Sequence, residues 1–279
     1  MVIGLTIVAF GTSAPELVVN LVSSIEGNSA IALGNVVGSN IFNILAILGI
    51  TALLVPLGVN KTTTWIEVPL ALFAAGLLLL LTDDTPSGII SRTEGICLLG
   101  FFIIFLLYTF ALAKFGGAGN GEEVEIKNYS IKKSVLFIIL GLAGLIAGGR
   151  MLVYGAVHIA ELLGISERII GLTIVSIGTS LPELATSIIA ARKNNADIAI
   201  GNVVGSNIFN TFFILGASAT LSPLRVPQGS STDLIVNIVA SALLFLFIFT
   251  GSGRKINRWE GVIFFLIYIG YLVYIIHNA

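Results

Sequence analysis

Residues 3–50 of this chain are repeated at residues 170–217, and the repeat limits the possible folds more than any other feature. The first copy opens with Ile3-Gly4-Leu5-Thr6-Ile7-Val8, continues through Gly11-Thr12-Ser13-Ala14-Pro15-Glu16 and closes with Gly34-Asn35-Val36-Val37-Gly38-Ser39-Asn40-Ile41-Phe42-Asn43. The second runs from Ile170 to Val175, through Gly178-Thr179-Ser180-Leu181-Pro182-Glu183, and on to the segment Gly201 to Asn210. Glu16 and Glu183 are 167 positions apart, as are Asn43 and Asn210, so no insertion separates the copies. Of the 48 aligned positions, 28 are identical. A repeat of this size sets the architecture before any local propensity is weighed.

Both copies are strongly apolar, and so is the rest of the chain. Of its 279 residues, 56% are hydrophobic and 10% charged, against roughly 25% charged in soluble domains. That composition belongs to a membrane protein. A net charge of −1 offers no basic face to nucleic acid. Cys97 is the single cysteine, which excludes an intramolecular disulfide. No basic segment followed by a cleavage site opens the chain, so no signal peptide is read. At roughly 20 apolar residues per crossing, nine transmembrane helices are expected, near 2–25, 30–55, 65–82, 92–113, 134–162, 167–191, 197–221, 232–250 and 259–276.

The two copies start five spans apart, an odd number, so they cross the bilayer in opposite directions. The expected fold is therefore an all-α polytopic membrane protein built from two inverted repeats. Residues 1–113 form the first (four helices), 114–133 a linker and 134–279 the second (five helices). Inverted repeats place a binding site near the midplane, where the halves meet. Loop charges set the orientation. One side carries ten basic residues, among them Lys61, Lys114, Lys132, Lys133, Arg192 and Arg254, while the other has Arg92, Arg168 and Arg225. The first side is expected in the cytoplasm with linker 114–133, whose acidic run Glu122 to Glu125 reads as solvated, and the C-terminus outside. A long span precedes the second copy while only Met1 and Val2 precede the first, so a symmetrical molecule would hold one more helix at the start.

Glu16 and Glu183 lie inside apolar spans, where ionisable side chains are costly and mark function. Thr12 and Ser13 are four and three residues from Glu16, and Thr179 and Ser180 stand likewise to Glu183, so each trio shares a helix face. Pro15 and Pro182 lack an N–H, which deprives the Gly11 and Gly178 carbonyls of helical partners. Asn35, Ser39 and Asn43 recur every four residues, as do Asn202, Ser206 and Asn210, making a polar stripe on each copy. Ser39, Asn43, Ser206 and Asn210 read as ligands. Asn35, Asn40, Asn202 and Asn207 divide evenly between ligand and helix-binding roles. Gly34 and Gly38, with Gly201 and Gly205, form small faces on which another helix can close. Oxygen-only sets of this kind suit hard cations, calcium above all. His158 and His277 are far apart in sequence and Cys97 is alone, which does not support a zinc or copper site. Arg150, Tyr154 and His158, four residues apart, could line a water path or simply mark an interior or interfacial face.

Paired Gly-Thr-Ser-x-Pro-Glu and Gly-Asn-x-x-Gly-Ser-Asn segments in inverted orientation resemble the α-repeats of the sodium/calcium exchanger family, among the cation/calcium antiporters. The resemblance covers essentially the whole chain. It implies a ten-helix fold, here from its second helix onward. It implies that Thr12, Ser13, Glu16, Thr179, Ser180 and Glu183 line the ion sites, that Ser39, Asn43, Ser206 and Asn210 complete them, and that the carbonyls of Ala9 and Ser176 contribute. Many relatives carry an acid where this chain has Asn43 or Asn210, which removes one or two negative charges from the site. The expected function is antiport of calcium against sodium by alternating access in a prokaryotic plasma membrane. Calcium/proton antiport is the alternative, and a passive cation channel a weaker one. No enzyme motif is present, and neither a cofactor nor an obligate protein partner is expected. The expected partners are calcium, sodium and the lipid bilayer.

Overall fold

The computed structural model describes residues 8–83, 88–115, 131–250 and 253–277. The Glu122–Glu125 run, the centre of the linker and Ala279 lie outside the described residues. A short helix, α1 (Ala9–Thr12), leads into α2 (Ala14–Ile25). Then follow α3 (Ser29–Leu54), α4 (Thr63–Thr82), α5 (Arg92–Lys114) and α6 (Ile131–Leu163). The second half continues with α7 (Glu167–Thr179), α8 (Leu181–Arg192), α9 (Ala196–Leu221), α10 (Ser230–Phe247) and α11 (Arg258–His277). Helices α3, α4, α5, α9, α10 and α11 are each long and apolar enough to cross a membrane. Helices α7 and α8, bent by 44° at their junction, make a further broken span.

The breaks fall at Ser13 and Ser180, where the backbone leaves the helical region (ψ of 7° at both). Pro15 and Pro182 then sit in the first turn of the following helix, where a missing N–H is one of the donors that a helix start leaves open in any case. The prolines thus start a new helix two residues after the break rather than kinking a continuous one.

Helices α3 and α9 form the centre of the molecule. Each is 89% buried, whereas α5 is 22% buried and presents most of its surface outward. Close approach requires glycine at three crossings. A Cβ on Gly38 would stand 2.7 Å from the Leu172 carbonyl oxygen and 2.8 Å from Ser176 Oγ, so α3 lies directly on α7. A Cβ on Gly34 would meet the Arg168 carbonyl oxygen at 2.9 Å. Gly95 of α5 closes on Gly216 of α9, and Gly261 of α11 closes on Gly49 of α3 in the same way. The last helix of each half therefore packs on the central helix of the other.

Two short ribbons repeat that exchange in the loops. Leu57–Gly58 (β1) pairs antiparallel with Lys255–Ile256 (β4), and Ile89–Ile90 (β2) with Leu224–Arg225 (β3). Each ribbon joins a loop of one half to a loop of the other and satisfies backbone groups that helices leave open. Helical periodicity carries no trace of such two-residue pairings.

Helix α6 lies across α2, with Gly149 against Val18, and buries Val153, Ala156 and Ala160 toward Val19, Ile31 and Val175. Arg150, Tyr154 and His158 occupy its exposed face, where the Tyr154 and His158 rings stack at 6.4 Å. They do not point toward the site described next.

Candidate ion-binding site

The two helix breaks meet at the centre and exchange hydrogen bonds. Ser13 Oγ donates to Glu183 Oε1 at 2.8 Å, and Ser180 Oγ donates to Glu16 Oε1 at 2.8 Å. Each carboxylate is therefore held by the serine of the opposite copy. Thr12 Oγ1 donates to Asn202 Oδ1 and Thr179 Oγ1 to Asn35 Oδ1, both at 3.1 Å. Behind these amides stand two residues that the sequence reading passed over. Asn35 Nδ2 donates to Asn20 Oδ1 at 2.7 Å, and Asn202 Nδ2 donates to Ser187 Oγ at 3.1 Å. Their signal was available: positions 20 and 187 match in the repeat and both are polar.

Asn43 Nδ2 donates to Asn207 Oδ1 at 2.9 Å, and Asn210 Nδ2 donates to Asn40 Oδ1 at 3.1 Å. These contacts tie α3 to α9. They also distinguish the six asparagines of the stripes by what their side-chain oxygens meet. Asn35, Asn40, Asn202 and Asn207 spend their side-chain oxygens on other side chains, while Asn43 and Asn210 keep theirs free. Both free amides lie in widened π-helical turns, Phe42–Leu48 and Phe209–Ile214, a local distortion that recurs at functional sites.

Five buried oxygens in this cluster have no hydrogen-bond partner: Glu16 Oε2, Glu183 Oε2, Asn43 Oδ1, Asn210 Oδ1 and Ser39 Oγ. Leaving one such group unmade costs about 1–3 kcal/mol, and more when it is charged. Four of the five are pure acceptors, in two pairs related by the repeat. Neither carboxylate has a cationic partner among the described residues. No three His, Cys, Asp or Glu side chains gather among the described residues, so the donor set is oxygen with two formal negative charges. Such a set matches a hard cation, which takes 6–8 oxygens in the case of calcium.

The twelve expected site residues do not all play one part. Ser13, Ser180 and Ser206 orient carboxylates; Ser206 Oγ lies 3.0 Å from Ser13 Oγ and donates to Glu183 Oε1 at 3.3 Å. Thr12 and Thr179 brace amides. The Ala9 carbonyl accepts from Ser13 N at 3.0 Å and from Thr12 Oγ1 at 3.4 Å. The Ser176 carbonyl accepts from Ser180 N at 3.1 Å and from Thr179 Oγ1 at 3.3 Å. Both carbonyls are thus engaged within their own helices, and the Ser176 hydroxyl donates to Leu172 O.

Among the described residues, three other buried carboxylates stand apart from this cluster, one of them Glu260, which accepts from Thr250 Oγ1 at 2.7 Å and Asn257 N at 2.8 Å. Tyr108 donates its hydroxyl to Glu67 Oε1, and Asp233 accepts from Tyr271 and pairs with Arg168. Arg168 is therefore not the free loop charge that its position suggested; it ties the start of α7 to α10.

Comparison with known proteins agrees with this geometry. The family described as Sodium/calcium exchanger protein matches residues 1–111 and 133–277. The putative antiporter CaxA of Alkalimonas amylolytica is 40% identical over 282 residues, covering 97% of this chain and 86% of that protein. The sodium/calcium exchanger MaX1 of Methanosarcina acetivorans is 34% identical over 310 residues, covering 98% and 87%. Among solved structures, the sodium-calcium exchanger NCX_Mj soaked with 10 mM Na+ and 10 mM Sr2+ superposes with a TM-score of 0.72 at 35% identity, covering 98% of this chain and 86% of that one. The chain is an integral membrane antiporter, not an enzyme, and it belongs to the sodium/calcium exchanger family.

Proposed function

We propose that this protein exchanges calcium for sodium across the membrane by alternating access. Calcium would sit between Glu16 and Glu183, with Asn43 Oδ1, Asn210 Oδ1 and Ser39 Oγ as further ligands. The observation that carries this reading is the pairing of unpartnered acceptor oxygens across the repeat. Two carboxylates facing one another repel unless positive charge lies between them. One calcium ion balances both, and so do two sodium ions, which makes the occupancies exclusive. Exclusive occupancy of one site couples the two fluxes without covalent chemistry. The similarity to MaX1 and NCX_Mj favours sodium as the counter-ion.

The loop-charge bias supports an orientation with segment 114–133 in the cytoplasm and the C-terminus outside, in a prokaryotic plasma membrane. In the same reading residues 1–113 and 134–279 are the two inverted halves between which the site lies.

Calcium uptake into proteoliposomes loaded with sodium, beside vesicles loaded with choline, tests the proposal. Uptake that requires internal sodium supports it. Equal uptake in both, driven instead by an acidic interior, would establish calcium/proton exchange with the glutamates carrying the returning protons.

A further inference from the structure

Buried hydroxyls in apolar helices ordinarily donate to the carbonyl one turn back. Buried Ser24 and Ser241 do so here, as do the half-buried Thr82, Thr173 and Thr220, all to carbonyls four residues earlier. Among the described residues, three buried serine and threonine hydroxyls outside the site are without any such bond. Thr51, Ser218 and Ser23 have no partner at all, and none is more than 1% exposed.

Their placement is not random. Thr51 and Ser218 are 167 positions apart, so they are the same residue of the repeat. Each stands eight residues beyond a free site amide, Asn43 or Asn210, roughly 12 Å farther along its helix at ~1.5 Å per residue. Each also lies in the last turn: Val55 N caps Thr51 O, and Ser222 N caps Ser218 O, both at 2.9 Å. Gly49, Ala52 and Leu53 meet Gly261 of α11. At 3.6 residues per turn Thr51 points away from that seam, to the side on which α8, the helix of Glu183, packs. By the same reasoning Ser218 points away from the Gly95–Gly216 seam, toward α2, the helix of Glu16. Ser23 is on α2 seven residues after Glu16, two turns on along one face. The matching position on α8, seven residues after Glu183, is Ala190.

We propose that Ser23 and Ser218 form the first step of the ion path on one side of the membrane, and Thr51 the first step on the other. This rests on reading the central cluster as a cation site. A cation leaving the glutamates must exchange its ligands one at a time, and a hydroxyl free of helical bonds can supply an oxygen at once. The two exits are chemically unequal, with two hydroxyls on one and a single hydroxyl on the other, where Ala190 occupies the position that matches Ser23. Both are shut in this structure.

Cysteine substitution in a Cys97→Ser background of the reconstituted full chain tests the path. The probe is a membrane-impermeant, positively charged methanethiosulfonate, and Lys61→Cys, at an exposed helix start, marks one side. We expect Thr51→Cys to react from the same side as Lys61→Cys, and Ser218→Cys and Ser23→Cys from the opposite side. Failure of all three to react while Lys61→Cys reacts, or reaction of all three from one side, would overturn the proposal. Calcium should slow each reaction severalfold. Side-specific labelling that neither calcium nor sodium changes would leave the path standing and refute the cation reading instead. As a second measurement, Ser218→Ala should slow calcium binding severalfold at unchanged equilibrium affinity, with Ser218→Thr restoring the rate. Unchanged kinetics in Ser218→Ala would count against the proposal.

Discussion

Ser13 Oγ lies 2.8 Å from Glu183 Oε1, and Ser180 Oγ lies at the same distance from Glu16 Oε1. The two halves thus aim each other's carboxylates, and neither half holds a finished site alone. A hydrogen bond to a charged group contributes about 1.5–3 kcal/mol. We expect Ser13→Ala and Ser180→Ala each to weaken calcium binding by roughly tenfold or more, since about 1.4 kcal/mol is tenfold. Calcium titration of the purified variants measures this. The double variant should lose more than either single one.

The free amides give a less obvious outcome. Asn43→Asp adds a negative charge to the site, which favours calcium, yet it removes the Nδ2 donor to Asn207 Oδ1. Two acceptors then face each other in a buried place, at a cost of about 1–3 kcal/mol. We expect Asn43→Asp to lower the calcium-free Tm, and calcium to restore it by more than it raises the Tm of the unmodified protein. Thermal unfolding with and without calcium reads both quantities. Asn210→Asp should behave alike through Asn40.

Helix α3 can lie on α7 only because Gly38 has no side chain. A Cβ there would stand 2.7 Å from the Leu172 carbonyl and 2.8 Å from Ser176 Oγ. Overpacking of a tight interface costs about 1–3 kcal/mol. Gly38→Ala should therefore lower the Tm and weaken calcium binding together, because Ser39 follows directly on the same helix. Gly100→Ala, whose Cβ would meet nothing within 4 Å, serves as the control and should leave calcium binding unchanged and the Tm no lower, since alanine suits a helix interior better than glycine.

Much of this architecture was legible in the chain. Repeat register placed Glu16 opposite Glu183 and matched Asn43 with Asn210, because duplicated residues in inverted halves must face a common axis. Apolar length located the six long apolar helices and the bent pair α7–α8 to within a few residues. What periodicity could not convey was the direction of each hydrogen bond. Asn35 and Asn43 look alike in sequence, but Asn35 Oδ1 is taken by Thr179 while Asn43 Oδ1 is free. The burial of Glu67 and the pairing of Arg168 with Asp233 were also hidden, since both depend on which helices meet rather than on spacing within one. The helix breaks at Ser13 and Ser180 were displaced from the prolines for a local reason: proline suits a first turn.

The most direct measurement is equilibrium binding of radioactive calcium to the purified protein in rising sodium, alongside Glu16→Gln and Glu183→Gln. One charge-balanced site shared by both cations predicts saturable calcium binding that sodium displaces competitively, with binding lost in each glutamine variant. Calcium binding that persists in both variants, or that sodium leaves untouched, would contradict it.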